Sequence, residues 1–421
     1  MPTLARQALD NAVKKVKETR RFMRTEVGQT FKGLLDYVEG ANYAGYDPYD
    51  ALNSPLIRLL GSRSKWVRIA FTQFLRRCPV NLRPLLGVKK GHNPKGIGLF
   101  LWGYVRLFRM DEDEAVLEKI RDLLDILNGL RSANCSGSAW GYNFDWQSRT
   151  FFRPRGAPTI VNTAFIGHAL LDCYEYTGLQ QALDMAIPIK EFILNDLHRT
   201  RKDETFCFSY TPVDTDVVHN ANMLGSSILS RLFRYSADPA CREAGQTSLA
   251  YSMDHQNEDG SWPYAENRSQ RWIDSFHTGF NLQALRCILA EGMVPEYRQA
   301  YEKGVSYYAR NFFLADGTPK YYHDTVYPID IHAPAEAIYF FSGMGQPYEA
   351  LTEKVLHWTL ANMLSSRGYF YFRNTGYFMN RIPYMWWSQA WMFHSLSEYM
   401  IHADEYRACD PSERQQRRCR R

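Results

Sequence analysis

The stretch "IVNTAFIGHALLD", Ile160 to Asp172, decides the fold. It is apolar on nearly every side, rich in small residues, and opened by a polar one, Asn162. A helix that is apolar all round has to be surrounded by protein. The same pattern returns as "VVHNANMLGSSIL" from Val217, "SFHTGFNLQAL" from Ser275, "DIHAPAEAIYFF" from Asp330 and "WWSQAWMFHSL" from Trp386. The opening residues Asn162, His219, His277, His332 and Ser388 follow one another at 57, 58, 55 and 56 residues. An earlier member, "PKGIGLFLWGYV", has Gly96 placed 66 residues before Asn162, and "DPYDALNSPLIRLL" stands before that.

Each unit has the same anatomy. An aromatic, turn-rich segment comes first, such as "WGYNFDWQSRTFF", "FCFSYTPVDTD", "GSWPYAENRSQRW", "PKYYHDTVYP" or "GYFYFRNTGYF". The apolar helix follows, and then an amphipathic one with its charges on one side, as in "PEYRQAYEKGVSYYARNFF". Alternating a surrounded helix with a one-faced helix about six times gives an inner and an outer ring. The prediction is an all-α, (α/α)6 toroid with short aromatic hairpins or loops at one rim. The expected division is a basic lead helix over 1–30, one toroid domain over 31–405, and a basic tail over 406–421.

Composition narrows the class. Apolar residues make up 45% of the 421 and charged residues 23%, as in a folded globular chain. No apolar run reaches the roughly 20 residues that span a bilayer. The N-terminal "MPTLARQALDNAVKKVKETRRFMR" has a basic stretch without the apolar core of a secretory signal. Eight cysteines are scattered without a CxxC pair, which suits reduced thiols. The expected location is the cytoplasm, with at most a peripheral contact at the inner membrane. The net charge of +5 sits at the ends: residues 1–24 carry seven Lys/Arg and two acids, residues 406–421 carry six and two, and the body is left at −4. Nucleic acid is excluded as a partner, because it would require a basic face on the fold itself.

In a toroid all inner helices start at the same end, so their opening residues and the aromatic segments before them converge on one funnel. Flat aromatic faces beside amides, hydroxyls and a few carboxylates suit a sugar, whose apolar face stacks while its hydroxyls bond. The predicted partner is an oligo- or polysaccharide, free or lipid-linked.

Two resemblances bear on this. "HQNEDGSWPY", His255 to Tyr264, is similar to the QW motif of squalene-cyclase-type toroids, which implies fold and not activity. Their acidic cyclisation motif is missing: "VDTD" at 213–216 is the nearest match. Over nearly the whole chain, "GYDPYDALNSP" (45–55), "NPKGIGLFLWGYVRLF" (93–108), "WGYNFDWQSR" (140–149), "CFSYTPVDTDVVHNANMLG" (207–225) and "PKYYHDTVYPIDIHAPAEAI" (319–338) resemble toroid proteins of bacterial capsule and exopolysaccharide clusters, related to the six-hairpin glycosidase architecture. That resemblance implies a role in making or tailoring a surface glycan. It transfers no catalytic residue.

Three chemistries fit such a funnel. Hydrolysis needs two carboxylates across the scissile bond, for which Asp47, Asp50, Asp274 and Asp330 are candidates beside Asp145, Asp214, Asp216 and Glu336. Hexuronate epimerases and lyases remove a proton next to a carboxylate, and need a neutraliser together with an acid and a base. Here His219, His277, Tyr210 and Tyr264 are the acid/base candidates. Asn162, Asn220, Arg271, His332 and Tyr322 hold substrate, with Tyr46, Trp140, Trp262, Trp272 and Trp387 as contact or stacking surfaces. The third possibility is a glycan-binding scaffold without catalysis. No HxH, HExxH or P-loop is present, so neither a metal nor another cofactor is expected. "GVKKGHNPKGIG" (87–98) is basic and Gly-rich but lacks the GK[ST] ending.

Overall fold

The computed structural model describes residues 25–61, 64–147 and 152–408. Six helices form an inner ring: α4 (Pro94–Asp111), α6 (Ile160–Thr177), α9 (His219–Ser236), α11 (Ser275–Ala290), α13 (His332–Ser342) and α15 (Trp391–Ala408). Each packs on the next in that order, and α15 closes on α4. The outer helices are α5 (Glu114–Gly129), α7 (Gln180–Ala186) with the short α8 (Ile189–Glu191), α10 (Pro239–Met253), α12 (Arg298–Asn311) and α14 (Glu349–Met363). Each lies against the inner helix before it. The sixth outer position belongs to α1 (Glu26–Gly40), which packs on α15. Two further helices, α2 (Pro55–Gly61) and α3 (Lys65–Arg77), pack together outside the ring.

The pattern that predicted the toroid also explains its closeness. In α6, every residue from Ile160 to Leu171 is buried. Glycines allow the inner helices to touch: a Cβ on Gly98 would lie 2.8 Å from Ile166, and one on Gly279 would lie 2.4 Å from Glu336 Cγ. The outer helices bury one face only; α5 hides Ile120, Leu123, Leu124 and Leu127, spaced at three and four residues.

Short antiparallel ribbons lie in the segments that precede the inner helices. They are β1 (Trp146–Gln147) with β2 (Phe152–Arg153), β3 (Arg199–Lys202) with β4 (Thr205–Phe208), and β5 (Ile329–Asp330), β6 (Arg373–Asn374) and β7 (Met379–Asn380) in one sheet. Helix α1 runs through the boundary expected at residue 30, since Phe31, Leu34 and Val38 belong to the core. The rest of the predicted lead helix, and the basic tail beyond 408, lie outside the described residues. Among those described, no helix is long and apolar enough to cross a membrane.

Candidate active site

Helix α11 is opened by Asp274, and this N-cap carries the site. Its Oδ1 accepts the His277 backbone N–H at 3.0 Å, satisfying a free donor of the first turn. Its Oδ2 accepts from the Trp272 indole at 2.9 Å and from His277 Nδ1 at 2.7 Å. A carboxylate can only accept here, so Nδ1 carries a hydrogen, and in the neutral ring the lone pair lies on Nε2. No described residue bonds that Nε2, and the ring keeps 22% of its exposure. A buried carboxylate therefore orients a histidine whose side chain stays partly exposed.

Aromatic side chains form a collar around this histidine. Tyr264 stacks on the half-exposed Trp272 at 4.8 Å and sits 4.6 Å from the His277 ring. The collar continues through Phe276 to His332 at 4.8 Å, Trp387 at 4.6 Å, Tyr49 at 5.6 Å and Trp146 at 5.6 Å. Trp146 meets Tyr142 at 5.6 Å, and the Tyr142 and Tyr210 hydroxyls are 3.5 Å apart. Tyr210 lies near enough to Tyr264 for its ionised form to oppose ionisation of the Tyr264 phenol. Arg153 lies over the Tyr210 ring at 4.2 Å and pairs with Asp214 at 3.1 Å. Burial raises the phenols of Tyr210 and Tyr264, keeping both protonated.

Below the collar the ring holds buried ionisable groups. Lys95 is buried, its Nζ 4.1 Å from the Phe165 ring centre, 5.1 Å from Trp391 and 5.2 Å from Phe280. Ring faces are what its ammonium has in place of solvent. Burial lowers the Lys95 pKa to about 7, with the Glu336 charge pulling the other way. Burial pushes the Glu336 carboxyl well above its usual range, and neither of its oxygens has a partner among the described residues. His332 is held neutral by burial and by the charges of Lys95 and His277, with both ring nitrogens unbonded.

Several expected site residues take other positions. His219 is fully buried and directs Nδ1 at Ser252 of α10, 3.2 Å away, between the two rings rather than into the funnel. The cause is a slip in register. His219 is the first residue of α9, whereas His277 is the third of α11; two residues are roughly 200° of rotation. Trp140 and Trp262 are core residues, their indoles bonded to the carbonyls of Leu127 and Ser252, and present no face to a sugar. Asp50 pairs with the buried Arg83 at 2.6 Å, and Asp47 accepts from Tyr49 N, so both stabilise a turn beneath the rim. Asp330 is taken up by Arg373 at 2.5 Å, by the Trp387 indole at 2.8 Å and by the His332 N–H at 3.1 Å.

Arg271 lies exposed beside Trp272. Tyr322 packs on Tyr321 at 4.6 Å, and its backbone bridges to Asp274. Tyr46 lines a small crevice with Asp47, Asn93 and Trp386. Asn162 is buried one turn before Phe165, on the lumen face, with neither amide atom partnered; Asn220 is buried too. Tyr49, Tyr142, Trp146, Arg153, Phe276 and Lys95 were not singled out individually. Tyr142 and Trp146 sit in the aromatic segment "WGYNFDWQSRTFF", Arg153 directly follows it, and Tyr49 lies in "DPYDALNSPLIRLL"; position ahead of an inner helix was the available signal.

Fold and site together define an (α/α)6 toroid with a histidine-bearing, aromatic-lined mouth. No family model matches the chain, and no curated protein does. Among solved structures, the cellobiose 2-epimerase of Bacillus thermoamylovorans superposes with a TM-score of 0.59 at 14% identity, over 75% of this chain and 90% of that one. A GH76 α-mannanase of Bacteroides thetaiotaomicron gives 0.56 at 11%, over 75% and 88%. A polysaccharide lyase gives 0.52 at 12%, over 75% and 91%. The toroid predicted from the repeat is thus the fold of the chain.

Proposed function

We propose that the funnel is a carbohydrate active site that moves a proton on a carbon adjacent to a carbonyl or carboxylate, as an epimerase or lyase does. His277 Nε2 is the base. Asp274 keeps the imidazole in the required tautomer and stabilises the imidazolium that forms. Tyr264, protonated and beside the ring, is the acid. Trp272, the exposed member of the collar, stacks the sugar, and Arg153 contributes positive charge near the substrate. The supporting observation is the Asp274–His277 pair with an open Nε2 inside an aromatic ring.

Hydrolysis is less well supported. Asp50, Asp214, Asp274 and Asp330 all spend oxygens on backbone or side-chain donors, and Asp47, whose Oδ2 has no partner among the described residues, is buried against Asp50. Asp216 has a carboxyl raised by burial and by Asp214, but has no second free carboxylate facing it among the described residues. Structural likeness to an epimerase and a lyase agrees with proton transfer, and likeness to a mannanase keeps hydrolysis as the alternative. The sequence resemblance supports a place in bacterial surface-polysaccharide synthesis, with a hexuronate-containing glycan as substrate.

The test is incubation in D₂O with neutral and uronate-containing oligosaccharides, read by mass spectrometry. Deuterium gained at one carbon, and lost in His277→Ala, is expected. Shorter products without deuterium would assign hydrolysis instead. Binding without any product would leave a glycan-binding component.

A further inference from the structure

The histidine that turned away from the funnel sits in a cluster of its own. His219, from the start of α9, His255, just beyond α10, and Glu266, in the segment leading to Trp272, bring one ligating atom each within 4.8 Å of one another. The two rings are 5.1 Å apart. Each side chain is already oriented by a neighbour, as metal ligands are. His255 Nδ1 faces the Tyr251 carbonyl at 2.7 Å, and a carbonyl only accepts, so the hydrogen is on Nδ1. The Tyr251 hydroxyl donates to Glu266 Oε1 at 2.6 Å. Ser252 Oγ, which accepts from Asn222 at 2.9 Å, meets His219 Nδ1.

What remains points inward. His219 Nε2 is buried and has no partner among the described residues. His255 Nε2 faces Glu266 Oε1 at 3.0 Å, a lone pair towards a carboxylate unless a hydrogen or a cation lies between them. The exposed ammonium of Lys202 stands 3.4 Å from that same nitrogen, and as a surface side chain it can swing away when an ion binds. Two imidazoles and one carboxylate are a donor set for a divalent transition ion, with zinc the best match to their intermediate softness.

We infer that His219, His255 and Glu266 form a zinc-class metal site between the inner and outer rings, separate from the funnel. The ion would tie the start of α9 and the end of α10 to the segment carrying Tyr264, two residues from Glu266. With Zn–N bonds of about 2.0–2.1 Å, tetrahedral ligand atoms lie about 3.3 Å apart; His255 Nε2 and Glu266 Oε1, at 3.0 Å, are already near that spacing, and His219 has to close on them.

The experiment uses the full chain, free of any affinity tag and stripped with a chelator, titrated with Co²⁺ and Zn²⁺. One ion per chain is expected, with a visible Co²⁺ spectrum and a raised melting temperature. His255→Ala and Glu266→Gln, both on partly exposed residues, should each weaken binding by at least tenfold while retaining the fold by circular dichroism. His219→Gln is the harsher third variant. No stoichiometric binding to the stripped wild-type chain, or binding that survives unchanged in both partly exposed variants, overturns the site.

Discussion

The two ends of the lumen are built on opposite rules. At the end where the inner helices finish, charge is abundant and paired. Arg106 bonds Glu398 and lies 3.5 Å from Asp172; Arg231 bonds Asp172 at 2.8 Å and Glu175 at 3.0 Å; Arg234 continues to Glu291 at 2.5 Å. The network links α4, α6, α9 and α15 and reaches the residue just after α11, so it ties five inner helices together. At the mouth the order is reversed. Polar atoms of His332, Glu336, Asn162 and Ser388 are buried without partners among the described residues, and one histidine is oriented and left open. Buried polar groups are normally satisfied, and native sequences depart from local consistency mainly at functional sites. That is the contrast expected if the paired end serves stability and the mouth serves the proposed chemistry, with His394, whose buried ring nitrogens lack partners beside Arg106 and Glu398, as the exception at the paired end.

Four measurements would break or sharpen that contrast. The largest effect is expected at the mouth on turnover: His277→Ala should lower the rate of the proposed proton transfer by about 10²–10⁴-fold and leave the denaturation midpoint nearly unchanged. A similar free energy should appear at the far end, but as stability. Arg106→Met leaves Glu398 and Asp172 buried without their cation, and should cost about 3–5 kcal/mol in urea unfolding.

Lys95 gives a third measurement, through pH. It binds protons at about 7 when folded against the ordinary 10.5 when unfolded, so between those values the unfolded chain holds more protons. Stability should rise with pH across that window, and the lysine's penalty is at its full value below pH 7. Lys95→Met should stabilise the chain at neutral pH and flatten the rise. The smallest effect belongs to the stacking face: Trp272→Ala should weaken glycan binding by about 1 kcal/mol, several-fold in KM, with kcat changed less. Should Arg106→Met abolish turnover in a fully folded chain, the division of labour between the ends is wrong.

The sequence carried the ring well and the site unevenly. Helices surrounded on all sides leave a signature of small apolar residues that needs no long-range information, and five copies at nearly equal spacing made the toroid legible. His277 was legible for a related reason, since Asp274 three residues ahead is both a cap and a partner. His219 was not, because which way a helical residue faces turns on the start of the helix to within one residue. Trp140 and Trp262 misled because a tryptophan before a helix looks alike whether its indole finds a sugar or a backbone carbonyl. Lys95 was hidden by its setting in "GVKKGHNPKGIG", which reads as a solvated basic loop. A lysine is almost never buried without a charged partner in reach, and nothing local distinguishes this one from its neighbours.

The sixth hairpin has a consequence for how the chain is made. Its outer helix, α1, is the first that the structure describes and its inner helix, α15, the last; the other five hairpins are each contiguous in sequence. During synthesis those five can pack as they emerge, by short-range contacts that form quickly. Until the final helix arrives, α1 has no inner partner and α4 lacks one flank, so an apolar seam stays open along one side of the arc. The ring is then completed in a single late event that joins opposite ends of the chain. A ribosome paused before residue 391 would hold an open crescent, and that is the stage at which a chaperone has something to bind.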